Sequence, residues 1–403
     1  MFNKEIFEFP ILYTNTIPKI AIGWGAYQTV GNECKAAGMK KALIVTTGLK
    51  GTGIIDEIKG VINYAGVATE VYDKVTSNPK THQITEAYKV FKESQCDGVV
   101  AVGGGSSIDT GKGVRVMVAN GGKNIMNFTV FLDPPWIETL QKMKPCTVPQ
   151  ISVATTSGTG AEVSSFAAIS DPKSRMKVLV SAPNIHSTIA IIDPLLARLQ
   201  PKNYAAWAGF DALSHGVEAF VTKVASPYAY GMLLRCVELV YKNLREFTFN
   251  RMDNVACERM CWAATMGGIG IGFGAGAGII HGLGHQISAV TDCHHGRVNA
   301  VMMLAGERYN QPAIIGKLAA MTRAMGIDTT GLTDWEAADR WFEEIEQLLL
   351  DLEIVPGQLK KQFGLKEADL EHIVKVYSND FCSQGNPRSF DHDEVMNVLK
   401  GAM

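Results

Sequence analysis

The hydrophobic pattern of the 403-residue chain changes at Asp193-Pro194. Before this dipeptide, short β-branched runs such as Ala42–Thr46 alternate with longer amphipathic stretches. Strands separated by helices in this way are typical of βαβ units and a mostly parallel sheet. After the dipeptide the strand signal disappears and apolar residues recur at helical spacing. The sequence therefore predicts an α/β domain over residues 1–193 and an all-helical domain over residues 194–403.

Charge and composition exclude several classes of protein. The net charge is −2 and the basic residues are scattered, so neither nucleic acid nor an anionic membrane is an expected partner. The most apolar run, Met266–Ile280, is shorter than a membrane span. The eight cysteines form no C-x-x-C pair, and the first residues lack the basic and apolar segments of a secretion signal. We therefore expect a protein of the reducing cytoplasm.

A glycine-rich turn follows the predicted strand that ends at Val102. It reads Gly103-Gly104-Gly105-Ser106-Ser107, and a helical pattern begins at Ile108. Free N–H groups at a helix N-terminus favour an anion, and glycine lets a phosphate approach closely. Because a plain strand-to-helix turn needs fewer glycines, we predict a phosphate site here. A second loop, Thr155–Glu162, follows a later strand and offers hydroxyl groups to the same edge of the sheet.

Two pairs of potential metal ligands stand four residues apart. They are Asp211 with His215 and His281 with His285, and two further histidines follow at His294 and His295. On a helix, residues four apart share a face, so both side chains of a pair can reach one ion. A carboxylate with imidazoles suits Zn²⁺ or Fe²⁺ better than Ca²⁺ or Mg²⁺. A single His-x-x-x-His pair is often only a helix-surface pattern, but the second pair favours a metal site.

Glycines are unusually frequent between Gly267 and Gly278, where helical periodicity would otherwise continue. Each costs about 1 kcal/mol against alanine in a helix interior. Such a cost persists where the backbone must approach something closely, either another helix or a bound molecule. The sequence leaves both explanations open, with helix packing slightly favoured.

Taken together, these segments resemble the iron-containing (group III) alcohol dehydrogenase family, and the resemblance covers nearly the whole chain. The order and spacing of the segments, rather than any single one, are specific. The segments are Ile20–Ala26, Gly103–Asp109, Thr155–Glu162, Asp211-x-x-x-His215, His281-x-x-x-His285, His295-Gly296 and Asn386-Pro387-Arg388. The resemblance implies a Rossmann-like N-terminal α/β domain, an all-α C-terminal domain, and a metal ion in the cleft between them, in the dehydroquinate synthase-like fold.

The resemblance also implies roles for individual residues. His285 would line the active site without binding metal, and we expect it to carry the proton. The metal ligands would be Asp211, His215, His281 and His295. The pyrophosphate of the cofactor would lie on Gly103, Gly104, Gly105, Ser106 and Ser107. Further cofactor contacts would come from Thr47, Asn78, Thr155, Thr156, Thr159 and Lys177. By analogy, the substrate pocket would lie around Phe166, Phe273 and Cys382.

Two positions depart from the family pattern. His294 stands where the family usually has a proline, which makes it a rival ligand or proton carrier. Thr47 stands where many NAD-preferring members carry an aspartate that would hydrogen-bond the ribose and repel a 2′-phosphate. Without that repulsion, NADP is not excluded on charge grounds. We expect NAD because no basic residue adjoins Thr47, although Lys50 is close.

These features predict an enzyme that transfers a hydride between a primary alcohol, or its aldehyde, and NAD(P). A divalent ion, expected to be Fe²⁺ with Zn²⁺ as the alternative, would lower the pKa of the alcohol oxygen. Two other functions stay open: a zinc enzyme similar to glycerol dehydrogenase, and a metal-dependent hydrolase of a phosphorylated small molecule. We expect a homo-oligomer, a dimer or higher.

Overall fold

The computed structural model describes residues 17–47, 49–131, 136–224, 226–272 and 276–403. Within these residues, every strand precedes Pro194. The strands are β1 (Lys19–Ile22), β2 (Lys41–Thr46), β3 (Ala68–Tyr72), β4 (Gly98–Gly103), β5 (Gln150–Ala154), β6 (Ala167–Asp171), β7 (Met176–Val180) and β8 (Ile189–Ile192). The helices among them are α1 (Val30–Ala36), α2 (Ile54–Tyr64), α3 (Thr81–Glu93), α4 (Gly105–Ala119) and α5 (Trp136–Gln141).

Six of these strands form one sheet in the order β1-β8-β5-β4-β2-β3. Neighbouring strands run parallel throughout; Val102 of β4, for example, pairs with Thr46 of β2 and Val153 of β5. The carboxyl ends of the strands therefore lie at one edge, which is where open α/β sheets bind ligands. The strands β6 and β7 form a separate antiparallel pair.

Helices cover both faces of the parallel sheet, which explains its continuous apolar strands. Side chains of a strand alternate between faces. In β2, Ala42 and Ile44 pack in one apolar cluster with α1 and α2. Leu43 and Val45 pack in a second cluster with α3 and α4. The three-layer arrangement follows from the β-branched runs of the sequence.

The chain after Asp193 is helical. Residues of α7, α8, α9 and α11 build the largest apolar cluster, and α11 bends at Ile314, two residues after Pro312. Of the described helices, none is both long and apolar enough to cross a lipid bilayer. The helices of this part are α6 (Pro194–Ala197), α7 (Lys202–Val221), α8 (Pro227–Phe249), α9 (Asn254–Gly270), α10 (Ile279–Thr291), α11 (His295–Met325), α12 (Asp334–Asp351), α13 (Leu359–Phe363), α14 (Glu367–Ser378), α15 (Phe381–Gly385) and α16 (His392–Ala402).

Glycines near the end of α9 lie against neighbouring segments of the chain. A Cβ at Gly268 would lie 2.6 Å from the Cα of Gly160. A Cβ at Gly270 would lie 2.3 Å from Cδ2 of Leu233. Gly270 therefore packs against helix α8, as the sequence slightly favours, whereas Gly268 packs against the loop that contains Gly160. Gly274, in the same run, lies outside the described residues.

The structure departs from the predicted elements at two places. Helix α4 begins at Gly105 rather than at Ile108, so Ser106 and Ser107 lie in its first turn. The β6–β7 pair has no counterpart among the predicted strands. Its strands have five residues each and mix buried with half-buried side chains, which gives a weak alternation signal.

Candidate active site

A cleft of about 1230 Å³ lies at the carboxyl edge of the sheet and is lined by both halves of the chain. Most of the predicted cofactor and metal residues line it. They are Thr47, Asn78, Gly104, Gly105, Ser106, Thr155, Thr156, Thr159, Lys177, Asp211, His215, His281, His285, His294 and His295. Gly103 and Ser107 lie behind this surface, and the side chain of Ser107 is fully buried.

The glycine turn between β4 and α4 brings the backbone close to the cleft. Gly103 has a φ of 147°, which favours glycine. A Cβ at Gly104 would lie 2.9 Å from Cγ2 and 3.0 Å from Oγ1 of Thr156, so the facing loop leaves no room for a side chain. The first N–H groups of a helix have no partner within it, and α4 begins at Gly105. This cradle fits the pyrophosphate of a dinucleotide.

Lys177 and Asn78 meet at the wall of the same cleft. Nζ of Lys177 donates to Oδ1 of Asn78 over 3.1 Å, and Nδ2 of Asn78 donates to the carbonyl oxygen of Cys293 over 2.9 Å. Lys177 is 4 % exposed, and burial lowers its pKa to about 8. The pair therefore connects the α/β part with the segment that precedes His295, and it brings a cation to the cleft.

Three predicted metal ligands converge in the cleft. Asp211 lies on α7, His281 in the first turn of α10, and His295 at the start of α11. Nε2 of His281 lies 3.6 Å and Nε2 of His295 lies 3.9 Å from Oδ1 of Asp211. One donor atom of each residue lies within 4.8 Å of those of the other two. With ligand bonds of about 2.0–2.2 Å, donor atoms around one ion lie roughly this far apart.

His215, one turn after Asp211 on α7, lies beside this three-residue cluster. Its ring stacks on that of His281 with the centroids 4.7 Å apart, but the cluster of mutually close donor atoms does not include it. Its Nδ1 is buried and has no hydrogen-bond partner in the described structure. Burial lowers the pKa of His215 to about 4, so the ring is neutral and keeps a lone pair for a ligand.

The donor atoms of the cluster fit a divalent ion. Nε2 of His281, the atom that lies 3.6 Å from Oδ1 of Asp211, is buried without a hydrogen-bond partner among the described residues. Because buried polar atoms in proteins are nearly always paired, this nitrogen points to a ligand of another kind. Burial opposes the charge of Asp211, but the surrounding imidazoles outweigh it and hold the pKa of this carboxyl well below its usual range. An anionic oxygen with imidazole nitrogens suits Fe²⁺ and Zn²⁺.

Two supporting residues have no counterpart in the sequence predictions. Glu218 accepts a hydrogen bond from ring Nδ1 of His281. Burial opposes the charge of His281, but Glu218 and Asp211 raise its pKa to about 9. Nδ2 of Asn299 donates to Oδ1 of Asp211 over 2.9 Å and lies 3.1 Å from Nε2 of His295. Helical spacing is the signal that points to both, since Glu218 follows Asp211 by two turns and Asn299 follows His295 by one.

His285 lies one turn after His281 and lines the cleft. Its ring stacks on that of His295 with the centroids 4.8 Å apart. Its Nδ1 lies 4.0 Å from Oδ2 of Asp380 and 4.0 Å from Sγ of Cys382. Burial holds the pKa of His285 well below its usual range, so its ring is neutral. No spacing signal points to Asp380, because only the fold brings it here.

His285, Asp380 and Cys382 form a second group of close donor atoms. The Asp380 carboxylate already accepts hydrogen bonds from the backbone N–H of Cys382 at 2.7 Å and from Nε2 of Gln286 at 3.2 Å. Burial raises the pKa of the Cys382 thiol well above its usual range. Since a thiol binds metal as the thiolate, this group is the weaker candidate for a cation.

His294 packs against two aromatic residues of α7. Its ring centroid lies 5.1 Å from that of Tyr204 and 5.4 Å from that of Trp207. It lines the cleft, but the cluster of close donor atoms does not include it. The position of His294 favours aromatic packing over metal binding.

Next to the predicted metal ligands, part of the cleft wall is apolar. It contains Phe166 and Cys382, as the resemblance implies, whereas Phe273 lies outside the described residues. The other apolar members of this wall are Val130, Ala168, Leu179, Ala277 and Phe381. An apolar wall beside polar donors is typical of a small-molecule pocket.

Comparison with known proteins places this site in a family. Residues 18–194 match the profile described as "Iron-containing alcohol dehydrogenase", and residues 205–403 match "Fe-containing alcohol dehydrogenase family, C-terminal". The chain is 36 % identical to methanol:N,N-dimethyl-4-nitrosoaniline oxidoreductase of Rhodococcus erythropolis, over 99 % of this chain and 98 % of that protein. It is 33 % identical to NAD-dependent methanol dehydrogenase of Bacillus methanolicus, over 96 % of this chain and 98 % of that protein.

A solved structure shares the fold. That of 1,3-propanediol oxidoreductase superimposes with a TM-score of 0.90 at 29 % identity, over 98 % of this chain and 100 % of that one. The names of these relatives are those of oxidoreductases, which favours the predicted dehydrogenase over the zinc glycerol dehydrogenase-like and hydrolase alternatives. The chain therefore belongs to the iron-containing alcohol dehydrogenase family and is an alcohol dehydrogenase that transfers a hydride between a primary alcohol, or its aldehyde, and a nicotinamide cofactor.

Proposed function

We propose that this enzyme oxidises short, uncharged primary alcohols with NAD, or reduces the corresponding aldehydes, using Fe²⁺ held by Asp211, His215, His281 and His295. The observation that carries the proposal is the convergence of Asp211, His281 and His295, whose mutually close donor atoms face the same cleft as the glycine cradle. Relatives named for methanol and 1,3-propanediol support a short alcohol.

When bound, the iron supplies Lewis acidity toward an alcohol oxygen, and NAD supplies the hydride acceptor. The turn Gly103–Ser107 would hold the pyrophosphate, with the threonines of the facing loop closing over it. Lys177 lines the same cleft as this cradle and the proposed ligands, and its charge would attract the cofactor. The four proposed ligands would hold the ion in the cleft.

His285 would receive the proton that the alcohol loses. Its ring is neutral, because burial, Lys177 and His281 all lower its pKa, and a neutral imidazole can accept a proton. Nδ1 faces Asp380 and Cys382, so we assign the acceptor role to Nε2 on the other side of the ring. The 4.0 Å distance between Nδ1 and the Asp380 carboxylate supports a charged imidazole once the proton has arrived.

The charge of the cleft supports a neutral substrate tail. Histidines aside, the charged residues in its described lining are Asp109, Lys177 and Asp211. A negatively charged tail needs a cation, and the ammonium group of Lys177 already donates to Asn78. A short apolar tail fits the wall that contains Phe166 and Leu179.

Several finer features belong to the same proposal. NAD is favoured over NADP by the NAD-dependent relative of Bacillus methanolicus, although Thr47 offers no charge against a 2′-phosphate. Iron is favoured over zinc by the family profile.

We divide the chain into domains at Asp193-Pro194, where β8 has ended and α6 begins. The exposed apolar side chains of Met252 and Val255 support a homo-oligomer, and eight free cysteines support a cytoplasmic location.

The test is a panel of methanol, ethanol, 1,3-propanediol and glycolate, run with NAD and NADP in parallel on Fe²⁺-loaded protein. We expect NAD-linked turnover of the neutral alcohols and little of glycolate. The variant His281→Ala should lose turnover, whereas His82→Ala, an exposed histidine on α3, should keep it. Undiminished NAD-linked turnover by His281→Ala would end the proposal.

A further inference from the structure

Glu218 is a buried carboxylate whose partners all lie at the N-terminus of α10. It lies on α7, two turns after Asp211, and is 1 % exposed. Its Oε1 accepts from the backbone N–H groups of Gly278 at 3.0 Å, Ile280 at 2.8 Å and His281 at 3.3 Å. Its Oε2 accepts from the backbone N–H of His281 at 3.2 Å and from ring Nδ1 of the same residue.

These contacts complete the hydrogen bonding of the helix start. The backbone N–H of Ile279 donates to Oδ1 of Asn386 over 3.2 Å, and that of Gly282 donates to the carbonyl oxygen of Gly278 over 3.0 Å. Every backbone N–H from Gly278 to Gly282 therefore has a partner. The N–H groups and the dipole of a helix N-terminus attract a carboxylate, which explains the position of Glu218 at the start of α10.

The Asn386-Pro387-Arg388 motif holds the same helix start from the other side. Asn386 exchanges two hydrogen bonds with Asn310 of α11, at 2.9 and 3.1 Å, and its Nδ2 also donates to the carbonyl oxygen of Arg388 at 2.8 Å. The Arg388 guanidinium donates in turn to the carbonyl oxygen of Tyr309 over 2.9 Å. The motif thus fixes the first turn of α10, the turn that carries His281.

We propose that Glu218 is a positioning residue that sets both the ring orientation and the tautomer of His281. Because Glu218 accepts a hydrogen bond from the Nδ1–H group, the nitrogen left for a metal ion is Nε2, the atom that lies 3.6 Å from Oδ1 of Asp211. A histidine that binds metal usually donates its other ring N–H to a carboxylate, which fixes the tautomer and strengthens the ligand. This inference rests on the proposed metal site and adds a residue to it.

The substitution Glu218→Gln tests whether the carboxylate of Glu218 is needed or only the volume of its side chain. Glutamine has the same shape, but one carboxylate oxygen becomes an NH₂ donor. Three backbone N–H groups donate to Oε1 and one donates to Oε2, so we expect the remaining oxygen at the Oε1 position and the NH₂ group facing Nδ1 of His281. The ring must then accept at Nδ1 and carry its proton on Nε2, where it blocks the ion. We expect Co²⁺ affinity to fall by about 10- to 100-fold.

Glu307→Gln is the matched control. Glu307 is also fully buried, and Nδ2 of Asn310 donates to its Oε2 over 3.3 Å, but it makes no described contact with His281. Burial raises the pKa of Glu307 to about 8, so at neutral pH glutamine replaces an uncharged acid. Co²⁺ affinity should stay at the wild-type value in this variant.

The experiment titrates metal-free protein with Co²⁺, following its visible absorption in competition with a chelator, and NADH binding by fluorescence. Wild type and Glu307→Gln should bind Co²⁺ alike, Glu218→Gln should bind it more weakly, and all three should bind NADH equally. If His281→Ala binds Co²⁺ as wild type does, the proposed metal site itself fails. If His281→Ala loses Co²⁺ but Glu218→Gln binds it normally, only the role of Glu218 fails.

A measurement on the unaltered chain decides the matter even if Glu218→Gln does not fold. The ¹⁵N spectrum of Zn²⁺-loaded wild type, labelled at histidine, reports which ring nitrogen of His281 carries a proton. We expect the proton on Nδ1. A proton on Nε2, with Nδ1 bound to the metal, would overturn the inference.

Discussion

Gly268 packs so closely against Gly160 that a side chain at this position should clash and destabilise the fold. Gly268 lies near the end of α9, and a Cβ there would lie 2.6 Å from Cα and 2.7 Å from the carbonyl oxygen of Gly160. Favourable contacts between carbon atoms lie at about 3.5–4.0 Å, so the methyl group of Gly268→Ala is about 1 Å too close. Both clashing atoms are backbone atoms, so no side-chain rotation relieves the overlap.

The size of the effect follows from two opposing terms. Forcing a methyl group into a packed interior costs about 1–3 kcal/mol or more. Replacing glycine by alanine within a helix returns about 1 kcal/mol. Because the overlap is with backbone atoms, the cost lies at the upper end of that range, and we expect Gly268→Ala to lower the free energy of unfolding by about 2 kcal/mol or more. Because the facing residue, Gly160, belongs to the loop that closes over the glycine cradle, NADH affinity should fall as well.

Gly231→Ala on α8 is the control. Apart from its own helix backbone and chain neighbours, no atom of the described residues lies within 4 Å of the position of its Cβ. Only the helix propensity of about 1 kcal/mol therefore remains, and the variant should be stabilised. Thermal melting of the two variants should shift in opposite directions, by about 2 °C per kcal/mol or somewhat less in a chain of this size. Equal shifts in the same direction would refute the explanation of these glycines by close packing.

Three further predictions concern the cleft. Gly104→Ala should weaken NADH binding roughly tenfold or more, because the new Cβ would occupy space that Thr156 fills. Its metal content, measured by elemental analysis, should not change. In Gly284→Ala, the new Cβ would lie 2.1 Å from Oδ1 of Asn299 and would displace the amide that contacts Asp211 and His295. We expect Co²⁺ affinity to fall by about tenfold or more, and normal affinity would count against a supporting role of Asn299. Since the pKa of Lys177 is lowered to about 8, the side chain loses its charge as the pH rises through that value, so NADH binding measured by fluorescence should weaken between pH 7 and pH 9. Lys177→Arg should abolish this pH dependence, and a wild-type affinity that is constant over this range would contradict the role of the charge.

The α/β part of the fold could be predicted because its signals are local. The run Ala42–Thr46 is buried on both faces, and its first four side chains are all apolar. The β6–β7 pair could not be predicted in the same way, because its five-residue strands pack partly against other loops. The start of α4 was predicted three residues late, since glycine weakens helical periodicity where the cradle requires it.

In the candidate site, too, some residues could be predicted from local spacing and others could not. Asp211 and His281 could be found from spacing, because each has a potential ligand one turn away on its own helix. Glu218 carries the same kind of signal, but a carboxylate two turns from the first ligand does not reveal that it faces α10. Asp380 lies about a hundred residues from His285, and only the packing of α15 against α10 brings them together. Contacts of that kind depend on tertiary structure, which no local pattern contains.

Asp211, His281 and His295, with His215 beside them, are the proposed ligands of one divalent ion in the cleft. Anomalous diffraction at the iron edge, from crystals of the Fe²⁺-loaded enzyme, locates that ion directly. We expect one strong peak within about 2.3 Å of donor atoms of Asp211, His281 and His295. A peak instead among His285, Asp380 and Cys382, or no peak in the cleft of an enzyme that remains active, would contradict it.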